Sequence, residues 1–234
     1  MKKSISVFYG LLITIIIYGI GVYAANYLNF NGDFIPSSFF MHSILLVLSL
    51  VAIIVFSKYN LIKFPFQKVK FKYYIYGILI ALLGFIIAQI LATVILNIFG
   101  FHISANGKGH PLITELNPLQ FFLFILIYAS ICEEFLFRGF SQNFLSPLKS
   151  IGIRISKEVF ISLPVIIGGI VFGLAHLILL TAGATGPYVF RIVLITSIIG
   201  IIAGYFQEKH QNILPAIAVH MASNLPGLII ILFM

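Results

Sequence analysis

Long apolar runs parted by short polar stretches make up the chain. They fall near residues 4–28, 38–57, 72–99, 118–143, 160–180, 188–206 and 212–233. As helices, runs of about 20 residues are long enough to cross roughly 30 Å of hydrocarbon. The pattern predicts an all-α, polytopic membrane bundle of seven helices, with eight as the alternative count because the last runs are short. We treat residues 1–234 as one integral membrane domain.

Composition agrees with that solvent. Hydrophobic residues make up 61% of the chain and charged residues 9%, and the mean hydropathy is +1.13, values outside those of a water-soluble globular domain. A formal net charge of +8 could suggest a nucleic-acid partner, but the cations lie in short loops, where membrane topology accounts for them. Nucleic acid is therefore excluded. Lys2, Lys3, Lys58, Lys63, Lys68, Lys70, Lys72, Lys149, Arg154, Lys157 and Lys209 fall on one side if the spans alternate, whereas the opposite loops hold Lys108, Asp33 and Glu115. The positive-inside rule then predicts a cell-membrane protein with a cytoplasmic N-terminus and an external C-terminus. The first run, with Lys2-Lys3 before it and "VYA" at 22–24, has the layout of a signal peptide, but it is long for one and is read as a span.

Between the runs, "GFHISANGKGHPLITELN" reads as a solvated outer loop, its His102 and His110 included. "SPLKSIGIRISKEVF" has apolar and basic residues at helix-like spacing and reads as an amphipathic segment lying along the inner interface. Cys132, the single cysteine, excludes an internal disulfide and cysteine-based zinc clusters, and nothing beside it favours a reactive thiolate. His42 and His210 read as polar surface residues, and Arg191 as a side chain that snorkels to the membrane edge.

The exception to all this is "ICEEFLFRGF", residues 131–140, at the end of the fourth run. Each charge at mid-helix costs about 2.5–3.5 kcal/mol on an insertion scale, so Glu133, Glu134 and Arg138 oppose insertion unless paired or near water. Glu134 and Arg138 stand four apart with the acid first, the spacing that lets them meet on one face. Glu133 points about 100° away around the helix and needs a partner on another span. Candidates follow later. "FGLAH" puts His176 in the fifth span behind Phe172, which reads as packing, and "HMASN" puts His220 and Asn224 on one face of the seventh. Gly169 with Gly173, and Gly200 with Gly204, are small-xxx-small pairs that allow close helix approach near His176. Carboxylate, imidazole and amide in one membrane cavity suit peptide hydrolysis without a covalent intermediate: a carboxylate as general base on water, imidazole handling protons, and imidazole and amide donors for an oxyanion.

"EEFLFR", "FGLAH" and "HMASN" also fit E-E-x-x-x-R, F-x-x-x-H and H-x-x-x-N, in the order found in the CAAX-protease and bacteriocin-processing (Abi) family of type II CAAX prenyl endopeptidase-like intramembrane proteases, which this sequence resembles over about 118–226. The first three spans match only in being apolar. The resemblance implies that Glu133 and His176 activate the attacking water, that His220 and Asn224 form the oxyanion hole, and that Glu134 and Arg138 support the site by pairing. It implies a membrane-associated peptide or protein as substrate and no cofactor. Zinc held by Glu133, His176 and His220 is the alternative, although no H-E-x-x-H motif is present. Two non-enzymatic alternatives are a catalytically silent scaffold or immunity protein of the same fold, and a proton-coupled transporter.

Depth poses one difficulty. Counted from the inner ends of the runs, His220 lies about 12 Å in and His176 about 24 Å. One site for both needs a fifth helix that starts later, near Pro164, or tilted helices.

Overall fold

The computed structural model describes residues 3–27, 34–63, 65–101 and 116–233. These form α1 (Lys3–Tyr27), α2 (Ser38–Lys58), α3 (Lys72–Ile98), α4 (Pro118–Gln142), α5 (Leu163–Ala175), α6 (Gly186–His210) and α7 (Leu214–Phe233). Counting the 3₁₀ continuation of α5 over His176–Leu180, seven helices among the described residues are long and apolar enough to cross a membrane, so the protein is a multi-pass helical bundle. His102, His110, Lys108, Asp33 and Glu115 lie outside the described residues.

Local chemistry sets where the helices that matter begin. At the head of α4, Asn117 accepts from the Gln120 amide at 2.9 Å while Gln120 reaches back to the Asn117 amide, with Pro118 at the first helical position. Along α4, two π-helical stretches, Phe121–Ala129 and Phe135–Gln142, flank an ordinary α-helical turn, Ser130–Glu134, that carries both glutamates. Ser162 caps α5 ahead of Pro164, so the fifth helix does begin late. That shortens the climb to His176 by about 4.5 Å. The rest of the depth difference lies in where the helices start and how they lean, because the His176 and His220 rings both lie 5.2 Å from the Phe172 ring.

The segment expected to be helix-like along the interface is instead a 3₁₀ turn, Ser146–Leu148, followed by an antiparallel pair, β1 (Gly152–Arg154) and β2 (Phe160–Ser162), in register Gly152 to Ser162. Ile151, Ile153 and Ile155 alternate with small or basic residues, the period of a strand, and all three are exposed. The period of two outweighs the looser helical spacing.

Two apolar clusters organise the bundle. One joins α1, α2, α4 and α5 through Ile17, Leu45, Ile53, Phe137, Phe140 and Phe172; the other joins α3, α6 and α7 through Ala81, Ala88, Ile199, Phe206 and Val219. Lipid tails are as apolar as leucine, so contact between helices here depends on small residues and polar bonds. On α3 the buried face is Gly77, Ala81, Gly84, Ala88 and Ala92. Between α5 and α6 the predicted glycine pairs mesh: a Cβ on Gly169 would stand 2.7 Å from the Ile201 nitrogen, one on Gly173 would overlap the Ser197 hydroxyl, and one on Gly200 would stand 2.8 Å from the Gly169 Cα.

Gly173→Val is therefore expected to lower unfolding free energy by about 1–3 kcal/mol, since neither Ser197 nor the Val193 carbonyl can yield. Gly19→Ala, at a helix position with open space around it, is expected to leave stability unchanged or slightly raised. Reversible unfolding in mixed detergent micelles measures both.

Candidate active site

All three charges of the fourth run have partners. Arg138 Nη1 donates to Glu134 Oε1 at 2.8 Å within α4, and both side chains are fully buried. The same oxygen lies 2.9 Å from His220 Nδ1 on α7. The Arg138 guanidinium also sits 4.3 Å from the centre of the Phe172 ring, within range of a cation–π contact. Its Nη2 edge packs against Gly200, where a Cβ would stand 2.9 Å away. Phe172, expected as packing, is buried among Arg138, Phe137, His176 and His220 and fixes their relative positions.

Glu133 finds the partner it needs on α2. Its Oε1 lies 3.1 Å from His42 Nε2, and its Oε2 lies 3.9 Å from His220 Nε2. His42 is thus no surface residue: it is buried, because the N-terminal part of α2 packs on α4 opposite Glu133. His176 sits where α5 tightens into its 3₁₀ continuation, and its Nδ1 lies 3.0 Å from the Phe172 carbonyl oxygen. A carbonyl only accepts, so Nδ1 carries the hydrogen, and in the neutral ring Nε2 is left as the basic nitrogen. Asn224 Nδ2 donates to Ser130 Oγ at 3.2 Å, one helical turn before Glu133 on α4. On the other side, Tyr18 of α1 donates to the Ala175 carbonyl at 2.8 Å, satisfying an acceptor freed where α5 stops being α-helical.

These residues border a pocket of about 210 Å³ lined by Tyr18, His42, Glu133, His176, His220 and Asn224. A second pocket, of about 310 Å³, opens on the α3, α6 and α7 side and shares His176, His220 and Asn224 with the first. The structure therefore brings Glu133, His176, His220 and Asn224 to one place and puts the Glu134–Arg138 pair beside them. Among the described residues, no three His, Cys, Asp or Glu side chains gather as a set that could hold a metal ion. Cys132 is buried and unpaired with another cysteine.

Sequence reasoning missed His42, Tyr18 and Ser130. The available signal was each one's isolation: a single polar atom in an apolar stretch of a span must find a partner inside the bundle. Arg191 also departs from expectation. Arg191 turns to Gln89 of α3, its Nε 2.6 Å from Gln89 Oε1, because an amide on a neighbouring helix offers it a fixed acceptor. The His210 ring packs 4.2 Å from Tyr73 at the foot of α3.

Compared with known proteins, residues 115–226 match the family model "Type II CAAX prenyl endopeptidase Rce1-like". No curated protein and no solved structure matches the chain.

Removing one partner of a buried ion pair costs about 3–5 kcal/mol, most of it from the charge left unpaired. Arg138→Met is expected to cost that much in detergent unfolding. The double variant Arg138→Met with Glu134→Met is expected to cost less than the sum of the two single changes, and a double-mutant cycle measures the difference.

Proposed function

We propose, from the match of residues 115–226 to the type II CAAX prenyl endopeptidase Rce1-like family model, that the chain is an intramembrane endopeptidase. It hydrolyses a bond in a membrane-associated peptide or protein with water activated by Glu133 and His176. The observation that carries this reading is the convergence of Glu133, His176, His220 and Asn224 on one pocket inside a helical bundle.

Each role follows from what the side chain touches. Glu133 is one-seventh exposed, toward the pocket, and has a carboxylate oxygen held by His42 and a second facing His220, so it can take a proton from a water lodged there. His176, its Nδ1 hydrogen committed to the Phe172 carbonyl, offers Nε2 as the second base. His220 keeps Nδ1 on Glu134 and turns Nε2 toward Glu133 and the pocket, where a hydrogen on Nε2 can be donated to a developing oxyanion. Asn224 uses one amide hydrogen on Ser130 and has another for the same oxyanion. Glu134 and Arg138 touch no substrate in this scheme and act by holding His220. The reaction needs no metal in this reading, and the protein sits in the cell membrane with Lys63, Lys149 and Arg154 at the cytoplasmic end.

The test is cleavage of a library of membrane-anchored peptides by the purified protein, with and without chelator. Glu133→Gln is expected to lower the rate about 10²–10⁴-fold, and Asn224→Ala about 10²–10³-fold, with folding intact by circular dichroism. His42→Gln, which keeps a donor for Glu133, is expected to retain more activity than His42→Leu. A biological effect that survives Glu133→Gln and His176→Ala would instead mark a silent scaffold, proton-coupled flux in vesicles a transporter, and chelator inhibition reversed by zinc a metalloprotease.

A further inference from the structure

The pocket on the far side of His176 and His220 has a feature the chemistry above leaves unused. Its walls are apolar, among them Phe85, Phe121, Ile192, Ile195 and Ile230, yet Arg191 lines it as well. The guanidinium donates from Nε to Gln89 Oε1 at 2.6 Å, and Gln89 is neutral. No described carboxylate pairs with Arg191. The Gln89 bond fixes the plane of the guanidinium by its Nε edge and leaves the two-nitrogen edge available, the geometry that takes a carboxylate through parallel hydrogen bonds. A half-buried cation among mostly apolar walls, hydrogen-bonded to a neutral amide and with no described carboxylate beside it, favours an anion there.

We propose that Arg191, oriented by Gln89, is an anion-binding subsite that holds a carboxylate of the peptide substrate. This deepens the protease reading and rests on it for the word substrate. The spacing gives the register. Gly200 lies against Arg138 at the level of the reactive groups, and Arg191 is nine positions earlier on the same helix, about 13 Å along its axis. An extended peptide covers that in about four residues. Arg191 thus fixes which bond lies beside His176 and His220, which this pocket shares with that of Glu133, by anchoring a negative group about four residues away, while the apolar walls take the side chains between.

The test uses the full-length protein in phosphatidylcholine nanodiscs, with Glu133→Gln to trap binding. The probe is a pool of palmitoyl-anchored decapeptides made in two forms, free C-terminal carboxylate and carboxamide, each with and without Asp and Glu. Retained peptides are read by mass spectrometry. Carboxylate-bearing peptides are expected to be enriched about tenfold, corresponding to about 1.4 kcal/mol. The amidated arms show whether the terminus or an acidic side chain supplies the group. Arg191→Gln is expected to abolish the enrichment and Arg191→Lys, which keeps charge but not the planar fork, to weaken it severalfold; the lysine variant decides alone if the glutamine variant does not fold.

No enrichment with the arginine present, or equal enrichment without it, overturns the proposal. So does loss of the bound peptides when phosphatidylglycerol is added to the nanodisc, which assigns the site to a lipid headgroup. The parent protein, assayed for cleavage of the same pool, separates the two readings. Cleavage indifferent to carboxylate sinks the subsite and leaves the protease, whereas Arg191-dependent enrichment without cleavage sinks the protease and leaves the subsite.

Discussion

One carboxylate oxygen, Glu134 Oε1, receives hydrogen bonds from Arg138 on its own helix and from His220 on the last one. In hydrocarbon such a group has nowhere else to turn, since water is not there to replace a lost partner. The oxygen therefore does two jobs. It neutralises the arginine so that α4 can lie in the membrane, and it fixes the ring of His220, and with it the approach of α7 to α4. Move α7 by one residue and the His220 bond is lost, and with it the orientation of the imidazole, while the ion pair within α4 stays.

Glycine contacts make room for this arrangement. Arg138 fits only because Gly200 has no side chain where Nη2 lies, and Gly200 in turn rests on the backbone of Gly169. Close approach of α5 and α6 also sets the level of Phe172, whose ring touches the guanidinium and both imidazoles. Packing and site geometry are thus one problem here. The two pockets that meet at His176, His220 and Asn224 lie where the two apolar clusters of the bundle part.

Much of this was legible in the residues. The spans followed from hydropathy, because bilayer thickness leaves little freedom in their length. The Glu134–Arg138 contact followed from helical spacing, and the α5–α6 contact from the small-residue pairs. The unmet need of Glu133 was visible too, but not its answer: His42 sits on a span 91 positions away, and no local rule pairs residues across that distance. His42 and Arg191 were misjudged for one reason. Each lies near the end of an apolar run, where sequence alone favours the membrane surface, and only the packing of neighbouring helices gives it a partner. The hairpin at 152–162 was missed because two periodicities competed in a short segment. For Glu133, His176, His220 and Asn224, proximity is what the structure adds.

The bond between Glu133 and His42 has a consequence for how the protein is made. Helices leave the ribosome in chain order, so α2 is already in the bilayer when α4 arrives. Of the two glutamates, one carries its own counter-charge four residues behind it, and the other meets an imidazole that was installed earlier. The charged segment can therefore be delivered laterally into lipid before its final neighbour, α7, has been synthesised, and the last helix completes a centre whose electrostatic cost has already been met.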